Sequence, residues 1–266
     1  MSGMGRGDDG RGRLGTVLSN LAVAVGCVLF LGGFAWGAVV YKPYTVPTES
    51  MTPTVHAGDR VLAQRIDGAD VRRGDVVVFT DKAWGGVPMV KRVVGTGGDK
   101  VACCDKDGLL TINGTPIEEP YLRTEVTSPT AGSQTKGSGG PASVKDFTAT
   151  VPEGQLFLLG DERTGSLDSR VHLKDPGQGS VPRSAVRARV DAVAWPLGGM
   201  IERPSAFAAL PGGISAPGPL PLQAGAVVTG LLLILGGSLY GPVAARAARR
   251  RTGRNPRGSR DTADVR

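Results

Sequence analysis

Histidine is nearly absent from this chain of 266 residues, which contains only His56 and His172. A Ser-His-Asp hydrolase needs a histidine as its general base. His56 lies six residues after Ser50, but neither a nucleophile elbow nor a third orienting group accompanies it. Two scattered histidines and three cysteines, two of them adjacent, do not supply a tetrahedral metal site. We therefore expect no histidine-based triad, no metal and no other cofactor.

The net positive charge of the chain comes from its two ends. The formal net charge is +7 at pH 7. Residues 246–266 contribute +6 and residues 1–16 contribute +1, so residues 17–245 are neutral. A nucleic-acid-binding domain carries its basic patch on the folded body. We therefore expect no nucleic-acid partner.

Charged residues are missing altogether from two long stretches, 14–41 and 204–245. A helix needs roughly 20 apolar residues to cross about 30 Å of hydrocarbon, so we predict transmembrane helices at 17–40 and 223–244. The first run is longer than the apolar core of a cleaved signal peptide, which is its alternative interpretation. The second run is rich in glycine, and an interfacial helix is the alternative there.

Arginines flank both apolar runs on their terminal sides. The positive-inside rule then predicts a cytoplasmic tail at 1–16, a basic cytoplasmic tail at 245–266 and an extracytoplasmic domain at 41–203. The lipid bilayer is therefore an expected partner. Residues 204–222 are rich in proline, glycine and alanine, which predicts a linker to the second helix.

Short β-branched runs dominate the region between the two helices. They occupy residues 60–63, 75–79 and 90–94, and glycine-rich turns bound them. Residues 109–112, 155–159 and 188–194 are predicted to be further strands. Asn113-Gly114 predicts a tight hairpin turn. The fold class is therefore mainly β, an antiparallel sheet domain flanked by N- and C-terminal transmembrane helices. Residues 124–145 are rich in Ser, Thr, Gly and Pro with few apolar side chains, which predicts a long mobile loop inserted in this domain.

The cysteines allow two hypotheses. Cys103 and Cys104 are adjacent in the predicted extracytoplasmic domain, where disulfides persist. Neighbouring Cα atoms lie about 3.8 Å apart, below the usual disulfide range of about 4.4–6.8 Å. A vicinal disulfide and two free thiols both stay open. Cys27 lies in the first apolar run and is predicted to be an inert packing residue.

A stiff segment with hydroxyl side chains follows the first apolar run. In Val46-Pro47-Thr48-Glu49-Ser50-Met51-Thr52-Pro53-Thr54 the prolines hold their neighbours extended. Thr48 and Ser50 then fall on one side of the chain. Taken alone, such a segment beside a membrane is typical of a stalk.

Lys91 lies in the apolar run 88–94. It is either a solvated side chain on an edge strand or a buried amine. A buried amine has a lowered pKa and becomes neutral enough to accept a proton from a serine hydroxyl. A polar turn, residues 160–170, follows the apolar run 156–159 and is either a solvated loop or a buried lattice of ion pairs.

These three segments, in this order behind an apolar helix, resemble the motifs of the bacterial type I signal peptidases. The Ser-Met-x-Pro-Thr motif of that family matches Ser50–Thr54, and its Lys-Arg-Val-x-Gly motif matches Lys91–Gly95. The family's Gly-Asp-Asn-Arg-x-Asn-Ser-x-Asp-Ser-Arg motif matches Gly160–Arg170, except that Glu162 and Gly165 replace its two asparagines. Glycine accepts the left-handed backbone that asparagine often adopts in turns, so we expect the turn to persist.

The resemblance implies an endopeptidase in the plasma membrane of a bacterium that removes signal peptides after small-x-small sites. Ser50 is the expected nucleophile and Lys91 the expected general base, with the Ser50 N–H and Thr48 hydroxyl facing the oxyanion. Ser166 matches the family residue that hydrogen-bonds the lysine. The expected supporting ion-pair residues are Asp161, Arg163, Asp168 and Arg170. The expected substrate-pocket residues are Val46, Met51, Val55, Met89 and Val90.

The expected partners are preprotein signal peptides, which would bind as an added strand, and the chain is expected to act as a monomer. One alternative keeps the Ser–Lys chemistry with another substrate, as in peptidases that mature pilus or conjugation proteins or in self-cleaving repressors. The repressor would require a DNA-binding domain, which the sequence lacks. The other alternative is a non-catalytic, membrane-anchored β domain that binds a partner or lipid.

Overall fold

The computed structural model describes residues 9–122 and 142–252, which form a helical unit and a β unit. Most of the predicted mobile loop, residues 124–141, lies outside the described residues, as do 1–8 and 253–266 of the two predicted tails. The helical unit combines both ends of the chain, and the β unit is Val39–Gly218.

Two long helices make up the helical unit: α1 (Asp9–Val40) and α2 (Leu220–Thr252). Their apolar parts, Gly15–Val40 and Leu220–Gly241, are long enough to cross a membrane. Both helices extend into the predicted tails. Ser19 Oγ donates a hydrogen bond to the Gly237 carbonyl at 2.6 Å. A Cβ at Gly26 would lie 2.7 Å from the Gly230 carbonyl oxygen, so the helix backbones approach closely through glycine.

The described residues of the β unit form twelve strands. They are β1 (Tyr41–Thr45), β2 (Arg60–Gln64), β3 (Val76–Thr80), β4 (Pro88–Thr96), β5 (Lys100–Cys103), β6 (Leu110–Ile112), β7 (Thr115–Ile117), β8 (Phe147–Thr150), β9 (Gln155–Leu159), β10 (Val181–Pro182), β11 (Val186–Trp195) and β12 (Gly199–Met200). The larger sheet has the order β1-β2-β11-β3-β4-β9-β10, and β12 pairs with β11. The smaller sheet has the order β7-β6-β5-β8.

All strand pairs are antiparallel, which confirms the predicted fold class. The central strand β3 has the sequence Val-Val-Val-Phe-Thr and is buried on both faces. The hairpin between β6 and β7 turns at Asn113 and Gly114, which both have positive φ as the sequence predicts.

The predicted linker begins later in the structure than the sequence suggests. Ser205–Ala209 form a 3-10 turn, and Phe207 and Leu210 are buried in the core beneath the smaller sheet. The Ser215 hydroxyl also donates to the buried carboxylate of Asp75 at 2.6 Å. The first part of residues 204–222 is therefore packed domain, because its apolar side chains cover the core.

Cys103 and Cys104 form a vicinal disulfide at the end of β5. Cys103 is buried in the core and Cys104 packs against the same core. Cys27, in α1, is a free thiol.

Candidate active site

Ser50 lies in the loop between β1 and β2. The loop is closed by backbone hydrogen bonds from Val46 N to Asp59 O at 2.9 Å and from Gly58 N to Val46 O at 2.8 Å. Met51, next to Ser50, is fully buried and anchors the loop in the core. The side chain of Ser50 is half-buried, so this loop presents a hydroxyl from a fixed backbone.

The Lys91 amine contacts this hydroxyl directly. Lys91 lies in β4 and is only 2% exposed, and its Nζ donates to Ser50 Oγ at 2.7 Å. Burial lowers the pKa of Lys91 to about 8, although Asp168 and Asp161 act to raise it and Arg170 lowers it further. Of the two interpretations of Lys91, the structure therefore supports the buried amine. A neutral amine at this distance can accept a hydroxyl proton.

Thr48 places a second hydroxyl at the same point. Its Oγ1 donates to Ser50 Oγ at 3.2 Å, and its side chain is exposed. The two hydroxyls therefore lie on one side of the segment, as the proline-stiffened sequence predicts.

Arg92 holds Lys91's strand against the polar turn of residues 160–170. Its Nε and Nη2 donate to the two oxygens of Asp161 at 2.9 and 2.7 Å, and both side chains are completely buried. Thr54 Oγ1 also donates to Asp161 at 2.5 Å. The sequence motif contains Arg92 and Thr54, but nothing in the spacing of the residues indicated their contacts.

The polar turn is a buried lattice of ion pairs. The Arg170 guanidinium donates through Nε and Nη2 to the carboxylate of Asp168 at 2.9 and 2.7 Å. Asp168 also accepts the Gly160 N–H at 3.0 Å. Arg163 Nε donates to the Gly160 carbonyl at 3.0 Å. The four predicted supporting residues therefore lie in one network beside Lys91. Asp168 and Asp161 are the carboxylates in it that raise the pKa of Lys91.

Arg163 has a partner that the sequence did not indicate. Its Nη1 and Nη2 donate to the Glu119 carboxylate at 2.8 and 2.5 Å. Glu119 follows β7 in the smaller sheet, far from the three motifs in sequence. No feature of its local sequence distinguishes it from a solvated acidic residue.

Glu162 and Gly165, the two departures from the family motif, bond to each other. Glu162 accepts hydrogen bonds from the Gly165 N–H at 2.5 Å and from the Thr164 hydroxyl. Gly165 has no positive φ, so the turn persists through the Glu162 carboxylate rather than through a left-handed glycine.

Ser166 is near the pair but does not hydrogen-bond the lysine. Its Oγ is buried and has no hydrogen-bond partner among the described residues. A side chain at Gly160 would collide with both Ser166 and the carbonyl of Ser50. The contact between Ser166 and Lys91 that the resemblance implies is therefore absent from this structure, although the residue lies beside the loop that carries Ser50.

The five predicted pocket residues differ in exposure. Val46, Met51 and Val55 are at most 1% exposed and belong to one core cluster. Val90 is half-buried against that cluster, whereas Met89, also half-buried, packs against a different one. Only Met89 and Val90 therefore offer side-chain surface, and the other three form the core behind Val90.

One edge of β4 is open beside Lys91. Residues Pro88–Lys91 pair with β3 on one side. On the other side β9 pairs with β4 only from Arg92 to Thr96. The backbone of Pro88–Lys91 therefore has a free edge within the described part of the sheet, which an extended peptide can join.

Among the described residues, neither histidine is hydrogen-bonded to Ser50 or Lys91. His56 Nδ1 is 3.6 Å from Glu49 Oε2. The His172 ring stacks on Trp84 and bonds Asp175 at 2.8 Å.

The sequence that builds this site is similar to sequences of known proteins. The family model described as signal peptidase, peptidase S26, matches residues 17–195, from α1 to the end of β11. The chain belongs to this signal peptidase family. Its members are serine peptidases, and the match contains all the site residues described above.

Individual members of the signal peptidase family are similar over about half of the chain. The probable signal peptidase I of Mycobacterium leprae is 34% identical over 212 residues, which cover 59% of this chain and 69% of that protein. Signal peptidase I U of Bacillus subtilis is 34% identical over 145 residues, covering 54% and 72%. A crystal structure of a signal peptidase I from Enterococcus faecalis is 31% identical, covers 44% of this chain and 94% of that one, and gives a TM-score of 0.32. The family model and the two named relatives support the signal peptidase, and not the peptidase with a specialised substrate, the repressor or the non-catalytic domain.

Proposed function

We propose that this chain removes signal peptides from exported preproteins with Ser50 as nucleophile and Lys91 as general base. The observation that carries the proposal is the 2.7 Å contact between Lys91 Nζ and Ser50 Oγ, made by an amine that is almost completely buried. Burial keeps a useful fraction of this amine neutral, and a neutral amine can activate a serine without histidine.

The reaction then proceeds in two halves. Ser50 Oγ attacks the scissile carbonyl carbon, and its proton passes to Lys91 Nζ. The C–N bond breaks as the lysine ammonium returns the proton to the leaving amine, which leaves an ester on Ser50. Water then attacks the ester, Lys91 accepts the water proton and returns it to Ser50 Oγ, and the signal peptide is released.

Thr48 and the Ser50 backbone N–H would stabilise the oxyanion. The Thr48 hydroxyl already lies 3.2 Å from Ser50 Oγ. A donor at this position can turn toward the negative charge that develops in the tetrahedral intermediate. Ser166, which has no partner in the described chain, would bond the lysine ammonium once it forms.

The substrate would bind as an added strand along the free edge of Pro88–Lys91. This edge ends at Lys91, so a peptide paired with it would run directly past Ser50. Val90 and Met89 are the half-buried apolar side chains beside that path, one on each face of the strand. A shallow apolar surface at Val90, on the same core cluster as Met51 next to Ser50, would suit small substrate residues at positions −1 and −3.

The two apolar helices would anchor the enzyme as a monomer in the plasma membrane of a bacterium. Both tails would be cytoplasmic and the β unit extracytoplasmic, because arginines follow the positive-inside rule at both ends. Preproteins leave the bilayer on that same side.

Cleavage of a preprotein with an Ala-x-Ala site tests the proposal. The purified full chain is expected to release one product whose new N-terminus lies directly after the second alanine. Ser50→Ala and Lys91→Arg should both be inactive with an intact fold, since arginine does not deprotonate in a protein. His56→Ala is the matched control and should retain activity; loss of activity in His56→Ala but not in Lys91→Arg would refute the proposed base.

A further inference from the structure

Glu119 and Tyr121 lie outside the three motifs, yet their side chains enter the charge network beside Lys91. Both follow β7 of the smaller sheet, and Pro120–Leu122 form a 3-10 turn. Glu119 and Arg163 are each only 3% exposed at the side chain. Burial of such a carboxylate is costly unless a cation and further hydrogen-bond donors satisfy it, so Glu119 depends on its partners.

The first contact of this pair is with the polar turn. Arg163 donates hydrogen bonds to the Glu119 carboxylate through both terminal nitrogens. Its Nε donates to the Gly160 carbonyl at 3.0 Å, and its Nη1 donates also to the Ala142 carbonyl at 3.0 Å. The Tyr121 hydroxyl donates to the Glu119 carboxylate. Burial raises the pKa of Tyr121 well above its usual value, so this hydroxyl stays protonated.

The second contact is with the strand that carries Lys91. The Arg92 guanidinium carbon lies 3.8 Å from the centre of the Tyr121 ring. An arginine over an aromatic face is attracted by the ring electrons, and more strongly when both are desolvated. Tyr121 therefore touches β4 through its ring and the polar turn through its hydroxyl and Glu119.

The side chains of Arg92, Tyr121, Glu119 and Arg163 form one neutral unit with Asp161. Its two cations face two carboxylates, Glu119 and Asp161, all of them buried. No member except Arg92 is adjacent to Lys91 in sequence, and the described contacts of Glu119 and Tyr121 do not include Ser50 or Lys91.

We propose that Glu119 and Tyr121 are positioning residues of the peptidase, which hold the polar turn against β4 and thereby set the environment of the Lys91 amine. This inference rests on the proposed Ser50–Lys91 mechanism. The turn supplies Asp168, Asp161 and Arg170, the charged groups that act on Lys91. A turn released from Glu119 moves those charges relative to the amine.

Glu119→Gln is the direct test, with Glu118→Gln as its matched control. Both changes remove one carboxylate, but Glu118 is exposed and Glu119 is buried. In full-length enzyme with an Ala-x-Ala preprotein, we expect Glu119→Gln to lower kcat roughly 10-fold or more while KM changes about twofold at most, since small displacements at a distance misalign the reacting groups. Glu118→Gln should match the wild type in both.

The pH profile separates positioning from simple loss of stability. In Glu119→Gln the unpaired Arg163 guanidinium is free to compete for Asp161 and Asp168, and both carboxylates raise the pKa of Lys91. We therefore expect the acid limb of kcat/KM to shift to lower pH. A variant with a reduced melting temperature but wild-type kcat and an unshifted limb would overturn the inference.

Two conservative variants keep the test decisive if Glu119→Gln does not fold. Glu119→Asp retains the charge and should recover part of the kcat lost in Glu119→Gln. Tyr121→Phe retains the ring over Arg92 and should show a smaller loss of the same kind. Wild-type kcat and pH profile in both would overturn the inference while Ser50→Ala and Lys91→Arg remained inactive; activity in Lys91→Arg would instead refute the proposed function.

Discussion

At the residue scale, the proposed chemistry depends on how the surroundings of the Lys91 amine change its pKa. Lys91, in β4, is almost completely buried, and burial is the largest influence on its pKa. The two carboxylates beside it, Asp161 and Asp168, oppose that effect but do not cancel it. The folded protein thus binds a proton at Lys91 less tightly than the unfolded chain does.

This lowered pKa predicts a specific stability change for Lys91→Met. The folded pKa is about 8 and the ordinary value 10.5, so between these values the unfolded state binds more protons and wild-type stability rises with pH. The difference corresponds to about 3 kcal/mol. The free energy of unfolding of Lys91→Met, minus that of the wild type, should therefore be up to about 3 kcal/mol larger below pH 8 than above pH 10.5.

Unfolding of the full chain in detergent, followed by circular dichroism at both ends of this pH range, measures the effect. Lys42→Met serves as the control because Lys42 is exposed. An equal stability difference at pH 7 and above pH 10.5 would show that the amine is not desolvated.

The motifs indicated which residues carry chemistry but not how they are connected. Ser50, Thr48 and Lys91 could be named because their segments resemble three ordered motifs of a known peptidase family. Arg92, Glu119 and Tyr121 could not, since their contacts join positions that only the folded sheets bring together. The absent Ser166–Lys91 bond has the same origin, because motif identity does not specify a side-chain rotamer.

At the element scale, buried ion pairs fasten separate parts of the chain to one another. Arg92 on β4 pairs with Asp161 of the polar turn, and Arg73, just before β3, pairs with Asp99, just before β5. In both pairs a fork of two nitrogens meets two carboxylate oxygens. Breaking such a pair leaves a buried charge without its counterion.

We predict that Arg92→Met destabilises the β unit by about 3–5 kcal/mol, the usual cost of removing one partner of a buried pair. Lys106→Met is the matched control, because Lys106 and Asp107 form a pair that is 89% and 63% exposed. Its stability should equal that of the wild type within the precision of denaturant unfolding. Similar losses in the two variants would contradict the account of the buried pair.

The six runs predicted from the sequence match β2, β3, β4, β6, β9 and β11 within two residues of their bounds, since apolar and β-branched side chains suit a pleated, buried surface. The shorter strands β5, β7 and β8 were not predicted. β1 could not be predicted, because Pro43 interrupts it and its pairing with β2 depends on the edge of the sheet. The short strands β10 and β12 also lack a local signal. The position of Phe207 depends on a core that only the assembled sheets create.

At the scale of the whole molecule, the two ends of the chain form one helical unit. Gly26, Gly230 and the Ser19–Gly237 hydrogen bond define the contact. Hydropathy could predict both helices, but their pairing required the three-dimensional positions of the glycines. A Cβ at Gly241 would lie 4.0 Å from that of Ser19, within the usual range for a disulfide.

We therefore predict that Ser19→Cys combined with Gly241→Cys forms an intramolecular disulfide in membranes under mild oxidation. Cys27→Ala provides the background. Ser19→Cys with Gly236→Cys is the control, because nothing lies within 4 Å of a Cβ at Gly236. A gel shift that is abolished by reductant checks the bond, and equal yields from the two pairs would contradict the helix contact.

The dependence of kcat/KM on pH is the measurement that tests the central claim most directly. A base that must be neutral makes the rate rise as the pH increases through the pKa of Lys91, so we predict an acid limb near pH 8 for preprotein cleavage. Lys91→Met should have no measurable cleavage at any pH. Cleavage by Lys91→Met, or an acid limb near 6.5 that disappears in a histidine variant, would contradict the account.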